Sequence, residues 1–348
     1  MIDLGTNLQP YHTFAIPASA KQIYQVDQVD ELYHLWQQAQ HHQLPVLLLG
    51  EGSNVLFTED FSGIVLLNRI KGIEYHNDED FHYFKVGSGE NWHQFVSYCV
   101  ERNIGGLENL ALIPGCVGSA PVQNIGAYGV ELKDICQAVE VIDLASGETF
   151  ILQNDQCQFG YRESIFKHQY RDHYAVIAVY FKLAKQWQPI LHYGNLAQLD
   201  PQQLTPKAVF QQVCAIRQAK LPDPKKIGSA GSFFKNPLVS AEQFQWLQKQ
   251  YPDIPHYPQA DGSVKLAAGW LIDRCGLKGY QLGGAAVHDK QALVIINKER
   301  ASGSDVVALA RYICHNVAER FGVVLQPEVR FIGNNGEIDF LLPKCKQR

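Results

Sequence analysis

Two glycine-rich runs constrain the fold of this chain more than any other feature of its sequence. The first covers residues 49–54 and reads Leu-Gly-Glu-Gly-Ser-Asn; the second covers residues 114–129 and reads Pro-Gly-Cys-Val-Gly-Ser-Ala-Pro-Val-Gln-Asn-Ile-Gly-Ala-Tyr-Gly. Glycine is costly inside a helix or a strand, so neither run is predicted to form a regular element. Backbone without side chains can approach a ligand closely, and its N–H groups bind phosphates. The runs predict a phosphate-binding site, with a plain connecting loop as the alternative for each.

The composition is that of a globular protein with more than one domain. The chain has 348 residues, of which 46% are hydrophobic and 19% are charged, and a chain of this length is expected to form two or three domains. A net charge of −5 argues against a nucleic-acid partner. No signal peptide and no stretch of roughly 20 apolar residues is recognisable. We therefore expect a cytoplasmic protein with no nucleic-acid or membrane partner.

The cysteines do not form a metal-binding pattern. They are scattered, with no Cys-x-x-Cys pair and no spacing that suits zinc or an iron–sulfur cluster. Thiols distributed in this way in a cytosolic protein are usually small buried hydrophobes. We expect no metal and eight free, mostly structural cysteines: Cys99, Cys116, Cys136, Cys157, Cys214, Cys275, Cys314 and Cys345.

Hydrophobic periodicity predicts a mixture of strands and helices in the first 220 residues. Asp27 is positioned to cap a helix with Leu32, Leu35 and Trp36 on its apolar side. A short apolar run, 45–49, predicts a buried strand that ends at the first glycine turn. Further strands are predicted at 63–68, 84–87, 139–144, 149–152 and 175–183, and helices at 92–102 and from Thr205-Pro206 to Pro222.

The remainder of the chain is predicted to hold three helices after a boundary at 220–226. Ser240 and Gln243 form a capping-box pattern. The segment 264–275 is predicted to be an apolar helix that ends at Gly276. A third helix is predicted to begin at Ser304 and to end at Gly322, with a strand at 292–297 between the last two helices.

Common nucleotide-binding and hydrolase motifs are absent from the sequence. No lysine precedes a serine or threonine, so there is no Walker A loop, and no Gly-x-Ser-x-Gly or His-Glu-x-x-His motif occurs. Gly87-Ser-Gly89 follows a predicted strand, but Trp92 occupies the place of the third glycine of a dinucleotide fingerprint. A Rossmann site is therefore not expected.

Three residues have little meaning in isolation. Ser232 alone reads as an exposed loop serine, Glu328 as a solvated carboxylate at a strand edge, and Arg162 as a surface arginine. Their significance comes from the segments in which they occur.

Together these segments resemble the UDP-N-acetylenolpyruvoylglucosamine reductase (MurB) family of flavoenzymes. The resemblance extends from Thr13 to about Gly333, and its motifs follow the order of the family. His192-Tyr193-Gly194-Asn195 resembles the tyrosine-bearing loop of the larger subclass. The matching motifs lie at residues 52–56, 113–119, 123–129, 159–162, 220–222, 231–237, 259–262 and 327–330.

The resemblance implies an α/β fold of three domains, with FAD binding of the vanillyl-alcohol-oxidase type and a C-terminal substrate domain. The implied domains are residues 1–70 with 322–348, residues 71–221 and residues 222–321. The implied reaction is the NADPH-dependent reduction of UDP-N-acetylglucosamine enolpyruvate to UDP-N-acetylmuramate through non-covalent FAD, in peptidoglycan precursor synthesis. A monomer is expected.

The resemblance also implies residue roles. Arg162, Ser232 and Glu328 would be catalytic, with Ser232 as the proton donor to C2 of the enolpyruvyl group. FAD would be bound by Gly50, Gly52, Ser53, Asn54, Gly115, Gly118, Ser119, Asn124, Ile125 and Gly126. Substrate contacts would be Tyr193, Arg217, Lys220, Asn236 and Gln291.

Two other functions are compatible with the same fold. One is a flavin oxidase that uses oxygen, and the other is a flavin- or nucleotide-binding protein without catalysis. Neither accounts for the motifs around Ser232 and Glu328, and a decayed enzyme would be expected to have lost at least one of Arg162, Ser232 and Glu328.

Overall fold

A computed structural model describes residues 1–200 and 204–340 of the chain. The chain forms two compact units, and each unit is assembled from separate stretches of sequence. The first unit consists of Met1–Thr6, Ala20–Gly52 and Ser62–Ala219. The second unit consists of Asn7–Ser19, Ser53–Phe61 and the chain from Lys220 onward.

Two larger sheets form the framework of the first unit. In sheet order, one consists of Ile2–Asp3, Ala20–Val26, Phe61–Asn68 and Val46–Leu49, with the last two strands parallel. The other is antiparallel and consists of Thr149–Gln153, Cys136–Asp143, Tyr174–Ala184, Phe81–Gly87 and Ile73–Asn77. Gly126–Ala127 and Val130–Glu131 form a small hairpin. Every strand predicted in this region is present.

Within residues 1–200 and 204–220, the α-helices are α1 (Val29–His41), α2 (Trp92–Glu101) and α3 (Pro206–Lys220). The predicted helices are therefore confirmed, including the proline at the first turn of α3. The capping role predicted for Asp27 is wrong. Gln28 occupies the N-cap position without a side-chain cap, and the Asp27 carboxylate instead accepts a hydrogen bond from Gln25 Nε2 at 3.0 Å.

The core of the first unit lies mainly between the antiparallel sheet and α2. Large buried aromatic side chains fill it: Trp92 stands 6.1 Å from Phe181 and 6.4 Å from Phe95, ring centre to ring centre. The side chain of Asn91 caps α2 by accepting from the Gln94 N–H at 2.9 Å. The start of α2 is thus fixed beside the second glycine run, because the Trp92 N–H also donates to the Gly115 carbonyl.

Up to residue 340, where the description of the chain ends, the second unit contains three small sheets. In sheet order, the first consists of Ser229–Ser232, Val294–Asn297, Ala285–Val287 and Gln281–Leu282. The second consists of Leu238–Val239, Val264–Leu266 and His256–Pro258. The third consists of Gly336–Ile338, Arg330–Gly333 and Val55–Phe57. The third sheet combines an early strand with the end of the described chain.

The helices of the second unit are α4 (Ala241–Gln250), α5 (Ala268–Arg274) and α6 (Gly303–Phe321). The helix predicted over 264–275 is wrong for its first residues, because Val264–Leu266 is the middle strand of the second sheet. Val264 and Leu266 are buried and Lys265 between them is only half-buried, which is the two-residue alternation of a strand. The helix begins at Ala268.

The start of α4 and both ends of α6 lie close to the positions predicted from their capping residues. Only half of the capping box predicted at Ser240 and Gln243 is present. Ser240 Oγ accepts from the Gln243 N–H at 3.1 Å, but the Gln243 side chain donates to the Gly322 carbonyl and does not return to Ser240. Helix α6 begins one residue before the predicted Ser304, because Ser302 and Asp305 form a capping box. Gly322, with φ of 64°, ends it as predicted.

The predicted mixed α/β class is confirmed. The boundary predicted near residue 221 lies close to the change of unit between Ala219 and Lys220, and the full three-domain division remains a prediction. In the described part of the chain, no helix combines the length and apolar character needed to cross a membrane.

Candidate functional site

The two glycine-rich turns meet in the first unit. Gly50 follows the parallel strand Val46–Leu49, and a Cβ placed on it would lie 2.5 Å from Cys116 Sγ. A Cβ on Gly118 would lie 2.4 Å from the Cβ of Ser88. Neither position has room for a side chain, so glycine is required where the turns pack together. A turn at the carboxyl end of a parallel strand is where α/β proteins commonly bind phosphates.

The backbone of the second turn is hydrogen-bonded within the protein. The N–H of Val117 donates to Glu90 O at 2.8 Å, and that of Gly118 donates to Ser88 O at 2.8 Å. The Cys116 N–H donates to Ser119 Oγ at 3.2 Å, and the Ser119 N–H donates to Cys116 O at 3.1 Å. The expectation that this stretch offers a row of free N–H groups is therefore wrong for residues 116–119, whose N–H groups fix the shape of the turn.

Two further glycines of the cofactor set, Gly52 and Gly115, adopt backbone conformations that favour glycine. Gly52 has φ of 59° and Gly115 has φ of 122°. Arg69 Nη1 donates to Gly50 O at 2.9 Å, and Asn91 Nδ2 donates to Glu51 Oε1 at 2.7 Å. These hydrogen bonds fix the first turn, and in the second turn the half-buried Ser119 keeps a polar side chain that can reach a bound dinucleotide. These residues fit FAD.

Ser53 and Asn54 continue the first turn but belong to the second unit. There Asn54 Nδ2 donates to the carbonyl of Glu328 at 3.1 Å, and Asn54 O accepts from the Arg330 N–H at 3.1 Å. One predicted cofactor residue therefore fixes the backbone at Glu328, a predicted catalytic residue, and two residues after it.

Arg162 lies against the segment predicted to approach the flavin ring. Its Nη2 donates to the carbonyl of Gly126 at 2.9 Å, and its guanidinium lies 5.4 Å from the ring centre of Tyr161. Its backbone has φ of 54°, which is unusual for a residue with a side chain. The structure thus brings together two elements that are 36 residues apart in sequence.

Asn124 has a structural role in holding this segment. It is fully buried with φ of 44°. Its Nδ2 donates to Glu131 Oε2 at 3.0 Å and to Gly160 O at 2.9 Å, and its Oδ1 accepts from the Lys133 N–H at 2.9 Å. The amide side chain is therefore used within the protein. Neighbouring Ile125 is buried and Gly126 is half-buried.

Arg217 is a cation without a carboxylate partner among the described residues. It lies on α3, its Nη2 donates to Leu112 O at 3.2 Å, and its side chain hydrogen-bonds to the Tyr128 hydroxyl. Its Nε is buried and, within residues 1–200 and 204–340, has no hydrogen-bond partner. Burial lowers the pKa of Arg217, and the nearby charge of Arg162 also lowers it. Two neighbouring cations of this kind suit an anionic ligand.

Two further predicted substrate contacts lie near the ends of their segments. Lys220 is the last residue of α3 and is exposed, three residues beyond Arg217 on the helix. Tyr193 is half-buried, with its ring 5.1 Å from that of His192.

Ser232 and Glu328 lie on adjacent stretches of the second unit. Ser232 ends the strand Ser229–Ser232 and pairs with Val294, and Gly231 before it has φ of 70°. The Glu328 N–H donates to the carbonyl of Phe233 at 2.8 Å. Both residues are half-buried, and Ser232 lies in a strand rather than in an exposed loop. The roles of the two side chains remain predictions.

Asn236 and Gln291 both lie near the start of α5. Asn236 Oδ1 accepts from the Ala268 N–H at 3.0 Å. Gln291 Oε1 would lie 3.0 Å from a Cβ on Gly269, and the Gln291 N–H donates to His288 Nδ1 at 3.1 Å. The structure brings these two predicted contacts together.

Tyr128 is a residue of this region that the sequence analysis did not single out. Its hydroxyl interacts with Arg217, and burial raises its pKa. The sequence indicates it only by its place inside the second glycine run. In the structure its φ of 49° is unusual for a residue with a side chain.

Other features do not add to the candidate site. A cavity of about 410 Å³ in the second unit is lined by Phe57–Asp60 and residues 300–304 and contains none of the predicted site residues. Among the described residues no group of three or more His, Cys, Asp or Glu side chains could hold a metal ion. Cys99, Cys116, Cys136, Cys157, Cys214 and Cys275 are free, Cys314 Sγ donates to the Leu325 carbonyl at 3.7 Å, and Cys345 lies outside the described residues.

Comparison with known proteins gives the class of this protein. Residues 20–153 match the FAD binding domain family, and residues 223–332 match the C-terminal domain of UDP-N-acetylenolpyruvoylglucosamine reductase. The first match contains both glycine turns, and the second contains Ser232 and Glu328. The chain is therefore an FAD-dependent oxidoreductase.

Full-length relatives define the family. The UDP-N-acetylenolpyruvoylglucosamine reductase of Pasteurella multocida is 61% identical over 96% of this chain and 98% of its own length. The enzyme of the same name from Escherichia coli K12 is 57% identical, again over 96% of this chain and 98% of its own length. A solved UDP-N-acetylenolpyruvylglucosamine reductase from Thermus caldophilus has the same fold, with a TM-score of 0.65 at 24% identity over 95% of this chain and 99% of its own. This chain belongs to the UDP-N-acetylenolpyruvoylglucosamine reductase family.

Proposed function

We propose that the chain catalyses the NADPH-dependent reduction of UDP-N-acetylglucosamine enolpyruvate to UDP-N-acetylmuramate, a step in peptidoglycan precursor synthesis. The observation that carries the proposal is the hydrogen bond from Arg162 to Gly126. It joins a cation, suited to stabilise negative charge, to the segment expected to lie against the flavin. Bound FAD supplies the redox chemistry by accepting hydride from NADPH and delivering it to C3 of the enolpyruvyl ether.

Arg162 is proposed to stabilise the charge that develops at the substrate carboxylate. Hydride addition beside a carboxylate produces an enolate-like dianion, and preorganised donors lower the energy of such a species. The bond to Gly126 O and the contact with Tyr161 keep the guanidinium in one position. Little reorganisation is then needed when the charge forms.

Ser232 is proposed to donate a proton to C2, and Glu328 to assist at the developing enol. A serine hydroxyl is a weak acid, so it can protonate only a strongly basic carbon and must be positioned for it. Pairing of Ser232 with Val294 and the bond from the Glu328 N–H to Phe233 O fix the backbone of both residues. These contacts support the assigned roles.

The diphosphate of the substrate is proposed to bind Arg217 and Lys220, with further contacts from Tyr193, Asn236 and Gln291. The buried Arg217 Nε lacks a hydrogen-bond partner within the described residues, and a buried unpaired donor is costly unless a ligand satisfies it. A diphosphate oxygen would supply the missing acceptor.

FAD is proposed to lie against Gly50, Gly52, Ser53, Asn54, Gly115, Gly118 and Ser119, with Asn124, Ile125 and Gly126 near the isoalloxazine ring. Because the N–H groups of residues 116–119 are used internally, the contribution of that turn would be close packing and the Ser119 side chain. We further propose a monomer located in the cytoplasm.

The test is a spectroscopic assay of the purified protein. The isolated chain is expected to be yellow, to bleach when NADPH is added anaerobically, and to recover its colour when the enolpyruvyl substrate follows. Recovery with oxygen but not with the enolpyruvyl substrate would indicate an oxidase. Flavin that NADPH does not bleach would indicate a binding protein without this activity. Size-exclusion chromatography with light scattering tests the monomer.

A further inference from the structure

Two adjacent buried polar side chains in the first unit have no role in the proposed chemistry. Glu108 and Asn109 lie in the short turn Glu108–Leu110 and are 2% and 1% exposed. Buried polar groups are costly unless they are hydrogen-bonded, so their partners indicate what they stabilise.

Glu108 holds the indole of Trp187. Its Oε1 accepts from Trp187 Nε1 at 2.7 Å, and its Oε2 accepts from the Gly106 N–H at 2.6 Å. A Cβ on Gly105 would lie 2.1 Å from Trp187 Cδ1, so the indole packs directly on this backbone. Burial raises the pKa of Glu108, and the two hydrogen bonds oppose that shift.

Asn109 holds the same segment three residues further on. Its Nδ2 donates to Ile190 O at 2.9 Å and to Tyr128 O at 2.8 Å. One amide therefore joins the segment that leads to Tyr193 with the turn that carries Tyr128. A Cβ on Gly129 would lie 3.1 Å from Ile190 Cγ2 and 3.0 Å from His192 Nε2, so the same two stretches also pack together.

We propose that Glu108 and Asn109 are positioning residues that fix residues 187–190 and thereby place Tyr193 for substrate binding. The proposal rests on the role of Tyr193 in the proposed function. Residues 187 and 190 are anchored six and three positions before Tyr193, and Tyr128 on the other side of Asn109 contacts Arg217. Glu108 and Asn109 thus set the position of Tyr193 relative to Arg217, the other predicted substrate contact in this region.

Two variants remove the hydrogen bonds that hold residues 187 and 190. Trp187→Phe keeps an aromatic ring but deletes the N–H that Glu108 accepts, and Asn109→Asp replaces the donor with an acceptor that faces two carbonyls. Trp246→Phe, at a tryptophan that is 51% exposed in the second unit, is the matched control. Flavin content and the thermal midpoint show which variants are folded.

Hydrogen exchange of the peptide that spans 188–193 is expected to accelerate about 5- to 30-fold in both variants, which is the effect of losing one or two hydrogen bonds. The KM for the enolpyruvyl substrate is expected to rise by a similar factor, with kcat within about twofold. In a Tyr193→Phe background, Trp187→Phe is expected to add no further increase in KM, because both act through the same contact.

The outcomes separate this proposal from the proposed function. Unchanged exchange in both variants, or faster exchange with an unchanged KM, overturns the positioning role while reductase activity persists. The positioning role is also overturned if KM in the Trp187→Phe, Tyr193→Phe double variant rises by the product of the increases in the two single variants. A wild-type protein without reductase activity overturns the proposed function itself.

Discussion

Glu328 is the residue whose charge can be tested with least disturbance to its surroundings. Its backbone is held by the bond from its N–H to Phe233 O and by the bond from Asn54 Nδ2 to its own carbonyl. Neither bond involves the carboxylate. A change confined to the carboxylate therefore leaves the backbone framework intact.

The Glu328→Gln variant is expected to bind FAD and to fold normally, because glutamine preserves size and hydrogen-bonding capacity. Turnover of the enolpyruvyl substrate should fall by roughly 10²- to 10⁴-fold, the usual contribution of a positioned acid–base group. Steady-state kinetics measures the effect, with Glu319→Gln on the exposed side of α6 as the control. Near-normal turnover would show that the Glu328 carboxylate has only a structural role.

At the scale of elements, the contact between the second glycine turn and the strand end at Ser88 is the tightest part of the candidate cofactor site. Ser88 is fully buried, and its hydroxyl exchanges hydrogen bonds with the Asn68 side chain at 2.7 and 3.1 Å. Ser88 cannot move away from a new side chain without breaking this buried pair.

Gly118→Ala places a Cβ at 2.4 Å from the Cβ of Ser88, so the turn must shift. We expect a loss of about 1–3 kcal/mol of stability from overpacking and a lower FAD content in the purified protein. Gly160→Ala is the control, since its Cβ would meet only the Glu163 side chain at 3.3 Å. Thermal denaturation and absorbance at the flavin maximum measure both effects, and equal FAD content in the two variants would contradict the assignment of Gly118.

Helices and strands are predictable from the sequence when the apolar pattern that defines them lies entirely within the element. The helices α1, α2, α3 and α6 and the strands around 46–49 and 174–184 needed only their own residues. The strand Val264–Leu266 was missed because three residues before a helix carry too little periodicity, and its partners at 238–239 and 256–258 are too short to be recognised alone. The residue roles at the candidate site rest on motifs and remain predictions. The internal use of the N–H groups of Val117 and Gly118 depends on Glu90 and Ser88, which no local pattern shows.

At the scale of the whole molecule, the compact units do not follow sequence order. Residues 7–19 belong to the second unit, where Phe14 and Ile16 are buried and Asn297 Nδ2 donates to Phe14 O at 3.1 Å. Local sequence patterns indicate neighbours along the chain and do not show these contacts. The domain of residues 1–70 with 322–348 rests on the family resemblance and remains a prediction. Asn297, which helps to hold this segment, lies 283 positions away from Phe14 in the sequence.

His12 in this segment makes the stability of the protein sensitive to acid. Burial lowers its pKa from 6.5 to about 4, although Nε2 bonds to Ile16 O at 3.0 Å. Below pH 6.5 the unfolded chain takes up a proton that the folded chain does not, so the free energy of unfolding falls as pH decreases toward 4. The slope is about 1.4 kcal/mol per pH unit for one proton.

Urea denaturation at pH 7.0 and 5.0 measures this effect. In His12→Asn the loss of stability between the two pH values should be smaller than in the unchanged protein by roughly 2 kcal/mol. His315→Asn, at an exposed position on α6, should retain the full loss. An identical pH dependence in His12→Asn would show that another group is responsible.

The most direct test of the proposed chemistry is Ser232→Ala, followed as two separate half-reactions in a stopped-flow instrument. Ser304→Ala at the exposed start of α6 serves as the control. Bleaching by NADPH requires no proton at C2, so it should proceed at close to the normal rate. Recovery of colour with the enolpyruvyl substrate requires that proton and should slow by several orders of magnitude. Equal slowing of both half-reactions, or normal rates in both, would contradict the assignment of Ser232 as the proton donor.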